Sequence, residues 1–403
     1  MTDPLARART HFLEGLGHAE REDWQAARAA FEAALQWAPE RPSVLLNLGI
    51  AEIRLGQAAA ALPRLQAASM ADPDMPDVWL ALAWAHYALG QWQQALHSGE
   101  KAQCLKDMPL AAQLRHAQCL SRMGRIDEAL VAFARVQELA PQMHEPWTEQ
   151  GDLYRSKGER TRARSCYEQA LALGGDPALH RYYLSALAGD AQSAPLAPLY
   201  YVRSLFDQYA DDFEQHLVQQ LGYQGHRVLV QQVLAIAPGR FVHALDVGCG
   251  TGLCGQLLRP HSDRLTGIDL SPAMVAKATE SGIYDELQVV DATTYLSAIT
   301  TTFDLIVAAD VFIYIGALEP VFAALRPRLM PGGRLAFTLE EPPPGLDMVL
   351  TPELRYAHSE AYMVHLARQH GLRLTASQRS PLRFDQRQPV WGRYMVLQAP
   401  GAG

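Results

Sequence analysis

The stretch Leu245-Asp246-Val247-Gly248-Cys249-Gly250-Thr251-Gly252 decides how the second half of the chain is read. It closes the apolar, β-branched run VHALDV and leads into the helix-like GLCGQLLRP, so a strand ends in a glycine turn that opens a helix. Glycines at 248, 250 and 252 let backbone approach a ligand closely. Their spacing is not the G-x-G-x-x-G that cups a pyrophosphate, which disfavours a dinucleotide.

Working outward, RLTGIDL, ELQVVDA, FDLIVAAD and GGRLAFTLE repeat the strand theme with helical patterns between them. Strands alternating with helices predict a mostly parallel sheet covered on both faces, with ligands beyond the strand C-termini where strand order reverses. Asp269 ends the second strand, where a carboxylate accepts hydrogen bonds from both ribose hydroxyls, and Asp291 ends the third, within reach of an adenine amino group. One acidic strand end is weak support, because carboxylates commonly cap the next helix, and Ser271 can cap after Asp269 alone. Three in register behind a glycine turn point to a nucleoside site.

The first half carries a different signal. At an offset of 34, small residues recur at Gly15, Gly49, Ala83, Ala117 and Gly151, and again at Ala27, Ala61, Ala95, Ala129 and Ala163. A third series, Gly56, Gly90, Gly124 and Gly158, falls where one helix must stop and turn. About five helix pairs are expected over residues 8–177, followed by a capping helix in ALHRYYLSALAG. Each pair buries its apolar face only against a neighbour. Gly99 stands where the other units carry Phe31, Leu65, Phe133 and Tyr167, so the second helix of that unit is expected to pack loosely.

Composition bounds the partners. The 403 residues carry a net charge of -8 with 49% apolar residues, and a cut after residue 190 leaves 19 basic against 23 acidic residues before it and 16 against 20 after it. Neither half is built for nucleic acid. The longest mostly apolar stretch, Leu305 to Leu318, is short and contains Asp310, so no membrane span is expected. Five scattered cysteines and an N-terminus without a signal pattern fit a reduced cytoplasm, and no Cys/His/Asp spacing suggests a metal.

The repeats resemble the tetratricopeptide repeat family: Trp79 and Trp147 take its Trp place, Leu48-Gly49 its Leu-Gly place and Tyr154 its Tyr place. That resemblance implies an α-solenoid whose groove binds an extended protein or peptide, with Asn47, Ile50, Ile53, Trp84 and Tyr87 on groove-facing positions. Packing of Trp84 and Tyr87 between units is the competing reading. Most of residues 200–400 resembles the class I S-adenosylmethionine-dependent methyltransferases, through LDVGCGTG, GIDLS, VVDA, FDLIVAADVFIYIG and LRPRLMPGGRLAFT. This implies a Rossmann-like, mostly parallel seven-stranded sheet with S-adenosyl-L-methionine as cofactor. Gly248, Gly250 and Gly252 would lie under the methionine moiety, Asp246 near its ammonium group, Asp269 and Leu270 on the ribose, and Asp291 and Ala292 beside the adenine. LRLTASQRSPLRF and VWGRYMVLQAP would supply an antiparallel edge. The whole is α + α/β, with a repeat domain over 1–190, linker or lid helices over 191–240 and the methyltransferase domain over 241–403. The repeats together with the block Arg355 to Tyr362 resemble a bacterial subgroup of repeat-bearing methyltransferases.

Between the halves, Leu205, Phe206, Tyr209, Phe213, Leu217 and Leu221 have helical spacing. They predict either a linker helix or, by resemblance to lid segments, a cover over the cofactor closed by Tyr209, Phe213 or His216. The methyl acceptor is expected near the end of the fourth strand, around Ala309, Asp310 and Tyr314. Asp310, Tyr314, His216 and His358 are the candidate bases. Absence of the Asn/Asp-Pro-Pro-aromatic motif disfavours nucleobase and glutamine N-methylation. Three readings stay open: an enzyme whose array recruits a protein, peptide or carrier-bound acceptor; a small-molecule enzyme with the array used for oligomerisation; and a non-catalytic scaffold.

Overall fold

The computed structural model describes residues 3–210, 222–385 and 388–401, and they pack as two compact units, one up to Gly175 and one from Asp176. In the first unit the 34-residue period becomes five antiparallel helix pairs. These are α1 (Pro4–Glu20) with α2 (Trp24–Trp37), α3 (Pro42–Arg54) with α4 (Ala58–Ala71) and α5 (Pro76–Ala88) with α6 (Trp92–Leu105), then α7 (Leu110–Arg122) with α8 (Ile126–Leu139) and α9 (Glu145–Ser156) with α10 (Arg160–Ala172). Pairing is close because the small residues leave room. A Cβ added at Gly15, Gly49 or Gly151 would come within 2.4 Å of Phe31, 2.7 Å of Leu65 or 2.4 Å of Tyr167. The turn glycines 56, 90, 124 and 158 all have φ between 69° and 74°, the left-handed conformation that ends a helix.

Gly99 departs from this pattern with a visible consequence. A Cβ there would meet only His116 Nδ1, at 3.5 Å, and a void of ≈ 20 Å³ lined by Tyr87, Gly99, Arg115 and His116 occupies the missing side chain's place. Gly99→Ala is therefore expected to stabilise the array by about 1 kcal/mol, through helix propensity and a partly filled void. A rise in the urea midpoint followed by helical circular dichroism checks this, and an unchanged or lower midpoint contradicts it.

The helix expected to cap the array, α11 (Pro177–Ala188), belongs instead to the second unit. Its aromatic face decides this: the Tyr182 hydroxyl donates to the Leu354 carbonyl at 2.6 Å, and the Tyr182 ring lies 6.2 Å from that of Tyr356. The segment expected to hold linker or lid helices, 191–240, is part of the second unit. Helix α12 (Leu199–Tyr209) donates from Tyr200 to Asp176 at 2.7 Å, and α13 (Gly225–Ile236) buries Leu229, Val230 and Val233 against the sheet. Phe213, His216, Leu217 and Leu221 lie outside the described residues.

The sheet runs β3 (Glu286–Val289), β2 (Ser262–Asp269), β1 (Phe241–Val247), β4 (Phe303–Ala308), β5 (Leu329–Glu340), all parallel. It continues antiparallel through β9 (Gln388–Gln398) to β8 (Arg373–Asp385), the expected edge hairpin. A short pair, β6 (Met348–Leu350) and β7 (Tyr356–His358), joins the end of β5 through Glu340 and Ala357 and was not expected. β4 shows why the strands read as unbroken apolar runs: Leu305 and Val307 pack into one buried cluster while Ile306 and Ala308 pack into the other, on the opposite face. Strand order reverses between β1 and β4, and the site lies beyond their C-terminal ends. No described helix is long and apolar enough to cross a membrane.

Candidate functional site

The turn after β1 and the ends of β2, β3 and β4 converge on one cavity of ≈ 630 Å³ in the second unit. Gly248 and Gly250 line it with φ of 65° and 55°, as do Asp246, Asp269, Leu270, Asp291, Ala292, Ala309, Asp310 and Tyr314. Ten of the residues expected at the cofactor or acceptor are thus brought together. Gly252 is not among the lining residues. It begins α14 (Leu253–Leu258) at φ 105°, and a Cβ there would face Tyr284 at 3.4 Å. Its φ, left-handed, is what calls for glycine there.

Asp246 is 1% exposed and accepts a hydrogen bond from the Tyr284 hydroxyl at 2.7 Å. Tyr284 reaches it because Gly255 and Gly267 have no side chains: a Cβ at either would lie 2.3 Å or 2.8 Å from the nearest atom, of Tyr284 and Leu287 respectively. Burial pushes the Asp246 carboxyl up to about 7, the Asp269 carboxylate adds to the rise, and the Tyr284 hydroxyl opposes it. Asp269 accepts from the Gly250 N–H and the Ser271 N–H, both at 2.9 Å. Ser271 Oγ caps α15 (Pro272–Ser281) at Met274 N, so Asp269 is spared that task. Each carboxylate oxygen keeps acceptor capacity for a donor in the cavity. Asp291 does both jobs weighed from sequence, capping α16 (Ala292–Ala298) through Thr294 N at 2.9 Å while lining the cavity.

The residues present fit an adenosyl sulfonium amino acid. Asp246, buried, and Asp269, half-buried, have no arginine or lysine partner among the described residues, and Thr251 Oγ1 is a buried cavity-lining atom with no hydrogen-bond partner among them. An ammonium group, a ribose diol and a ligand carboxylate would satisfy these three. The raised Asp246 carboxyl has a checkable consequence. Because the folded value lies above the unfolded one, its burial destabilises the protein progressively as pH rises from about 4 to 7. A bound cation reverses this, so calorimetric titration with S-adenosylhomocysteine at pH 6, in two buffers of different ionisation enthalpy, is expected to show net proton release. Asp246→Asn is expected to lose it, and equal heats in both buffers would count against the assignment.

The acceptor side is built differently. Asp310 has φ 56°, held by its N–H donating to Thr338 Oγ1 at 2.7 Å while the Thr338 hydroxyl donates back to Asp310 Oδ1 at 2.7 Å. Tyr314 sits in the turn Phe312–Tyr314, edge-on to Phe206 with ring centroids 5.5 Å apart, and burial raises its hydroxyl above the ordinary value. Its hydroxyl hydrogen-bonds Arg355. His358 drops out as a base. It does not line the cavity, its Nε2 pairs with the Gly316 carbonyl at 2.8 Å, and burial holds it down to about 4. His216 and the side chain of Tyr209, the last residue of α12, lie outside what the structure describes. The same helix nevertheless forms a wall through Leu199, Val202, Leu205 and Phe206, docked by Asp207 accepting from Ser271 Oγ at 2.5 Å. Sequence reasoning did not assign Tyr284, Thr251, Tyr223, His226, Arg355 or Arg383. Thr251 stands in the glycine turn and Arg355 begins a block with a family resemblance, both without a role assigned, and nothing local marks the others.

In the array, the part-buried Asn47 donates its amide to the Ser43 carbonyl of its own helix at 2.8 Å, and Ile53 is 6% exposed inside the core. Ile50 packs against the same core. Trp84 lies between Arg54 and Arg115, 4.7 Å and 5.2 Å from the ring, and the Tyr87 hydroxyl donates to Gln118 at 2.9 Å. The expected apolar surface is thus a cationic–aromatic stack bridging successive units, because the arginines of the helix pairs on either side of Trp84 both reach its indole.

A glycine turn and acidic strand ends at the topological switch of a 3-2-1-4-5 sheet define a nucleoside-binding α/β domain behind a helical repeat array. Comparison with known proteins makes the class specific. Residues 245–335 match the family model described as a methyltransferase domain, and residues 15–81, 111–142 and 144–173 match models described as tetratricopeptide repeats. Nodulation protein S of Rhizobium tropici is 34% identical over 111 residues, 26% of this chain and 46% of that protein. Aklanonic acid methyltransferase DauC of a Streptomyces species is 29% identical over 179 residues, 42% of this chain and 78% of that protein. Magnesium protoporphyrin IX methyltransferase from Synechocystis, solved with S-adenosylhomocysteine, shares 18% identity with a TM-score of 0.40, covering 50% of this chain and 99% of that one. The chain spans less than half the length of the first curated relatives it matches, which include human methyltransferase-like protein 27 at 34% of its length. It carries tetratricopeptide repeats and a class I S-adenosylmethionine-dependent methyltransferase domain.

Proposed function

We propose that this protein is an S-adenosylmethionine-dependent methyltransferase whose repeat array recruits the acceptor, or the peptide or protein carrier that bears it. The observation that carries the reading is the single cavity with two chemically distinct ends. One end has two carboxylates without a cationic partner among the described residues, behind a glycine turn, and the other has apolar residues with Tyr314 and Arg355. When bound, S-adenosylmethionine supplies a methyl group activated on a sulfonium sulfur. The chain's own residues hold and shield: Asp246 and Asp269 bind, Gly248 and Gly250 let the ligand lie against backbone, and Phe206 with Val202 keeps water from the acceptor side. The Trp84 stack supports recruitment, since Arg54 and Arg115 on its indole give the array a cationic–aromatic feature that can hold an extended chain, and tethering a carrier raises the local acceptor concentration without altering the chemistry.

A second reading, a free small acceptor with the array serving oligomerisation, is favoured by the cavity's volume, which is ordinary for small-molecule ligands. The name of the DauC relative points the same way, and that of a malonyl-[acyl-carrier protein] O-methyltransferase, 28% identical over 135 residues, suits a carrier-bound group. Titration with S-adenosylmethionine tests the shared core of both readings, and no binding refutes them. Tritiated-methyl labelling of a cell lysate, separated into macromolecular and small-molecule fractions, then divides them. Label confined to the small-molecule fraction defeats recruitment of a carrier.

A further inference from the structure

The acceptor end of the cavity holds two guanidinium groups that the cofactor end does not need. Arg383 reaches in from β8, is 4% exposed, and is engaged by a short charge-assisted hydrogen bond to Glu340 Oε1. Arg355 is placed differently. Its ion pair with Glu340 is long, 3.7 Å, and its other partner is the neutral Tyr314 hydroxyl. A guanidinium has five N–H donors in a planar fork, so most of this fork is unspent among the described residues, on a residue that lines the cavity. The backbone that aims it is strained. Leu354, buried and β-turn-bound through its N–H to Thr351 O at 2.9 Å, has φ 63°, a conformation that leucine adopts at a cost and that persists only where surroundings impose it. Tyr182 helps impose it by donating to the Leu354 carbonyl. Glu340 alone is shared between the two arginines, and Asp310, the next carboxylate, is tied to Thr338.

Resting on the methyltransferase reading above, we propose that the acceptor is an organic carboxylate with an apolar body, gripped by the Arg355 fork and methylated on a carboxylate oxygen. A planar fork matches a carboxylate bidentately. The cavity's apolar lining, which includes Leu199, Val202, Ile313, Ile315 and Val321 as well as Phe206 against Tyr314, suits an aliphatic or aryl body. The chemistry needs no base. An oxygen lone pair forms the C–O bond as the C–S bonding pair leaves with sulfur, so an anion and a cation become a neutral ester and a neutral thioether, and no proton moves. That agrees with the fate of the expected bases: Asp310 clamps its own turn, Tyr314 stays protonated, and His358 is elsewhere.

The test uses the full chain. Loaded with S-adenosylhomocysteine, it is titrated with a series of aliphatic and aryl carboxylates, each matched with its carboxamide and its amine. With tritiated S-adenosylmethionine and lysate small molecules, the product label is then tested for release as volatile methanol in alkali, which methyl esters give and N-methyl or ether groups do not. The expected results are at least tenfold tighter carboxylate binding than carboxamide or amine, and alkali-labile label. Arg355→Gln is expected to erase the carboxylate preference while leaving S-adenosylhomocysteine affinity within twofold. Arg355→Lys, which keeps the charge opposite Glu340 and so the fold, is expected to retain part of it. No carboxylate preference across the series, or alkali-stable label, overturns the proposal. Failure to bind S-adenosylhomocysteine at all refutes the underlying methyltransferase reading instead.

Discussion

Asp269→Asn is expected to weaken binding of S-adenosylhomocysteine by at least about 100-fold, roughly 2.8 kcal/mol, while the protein remains folded. The carboxylate stands at the end of β2 with one oxygen on the Gly250 N–H and the other on the Ser271 N–H, and its remaining acceptor positions face the cavity. An asparagine keeps one acceptor but turns an NH₂ toward a backbone donor, so the turn and a ribose diol both lose a partner. Folding is expected to tolerate the change because burial already raises the Asp269 carboxyl above its ordinary value, which means the folded protein accepts the neutral form comparatively well. Calorimetry with S-adenosylhomocysteine and a thermal melt of the ligand-free variant separate the two effects. Retained affinity would remove Asp269 from the ribose, and a collapse of the melt would make it a folding residue.

The second large effect is steric. Gly248→Ala places a Cβ 2.5 Å from Val311 Cγ2 at a residue whose φ is 65°. Left-handed strain and overpacking each cost about 1–3 kcal/mol, so a destabilisation of about 2–6 kcal/mol is expected, along with loss of ligand binding. Val311 is branched at Cβ and has little freedom to move aside. The pair Gly248→Ala with Val311→Ala is therefore expected to recover part of the stability, leaving only the strain. Additive losses in that double-mutant cycle would show that the clash is not the cause.

What could be read in advance followed from periodicity and from backbone chemistry. The array was legible because a period of 34 places Gly15, Gly49 and Gly151 against Phe31, Leu65 and Tyr167, and even the gap at Gly99 left a void where the pattern predicted loose packing. The glycine turn and the acidic strand ends were legible because each lies within a few residues of a strand terminus, where local rules hold. The groove residues were less so. Ile53 and Asn47 have the right spacing for a partner-facing surface, yet one is buried and the other closes a bond four residues back, since helical period fixes the face of a residue but not what the neighbouring helix covers.

The sequence by itself determined two folding periods, 34 residues in one half and strand–helix alternation in the other, and with them the positions of Gly248, Asp246 and Asp269, because short-range geometry dictates where a strand ends and a glycine must turn. Only the tertiary structure decided that Tyr284 would hold Asp246 from 38 residues away, that α11 would join the second unit, and that Arg355 and Arg383 would meet around Glu340. Those contacts join segments with no periodic relation to one another. They arise from how the hairpins and helices close over the sheet, where burial leaves a charge no alternative but the partner that packing brings to it.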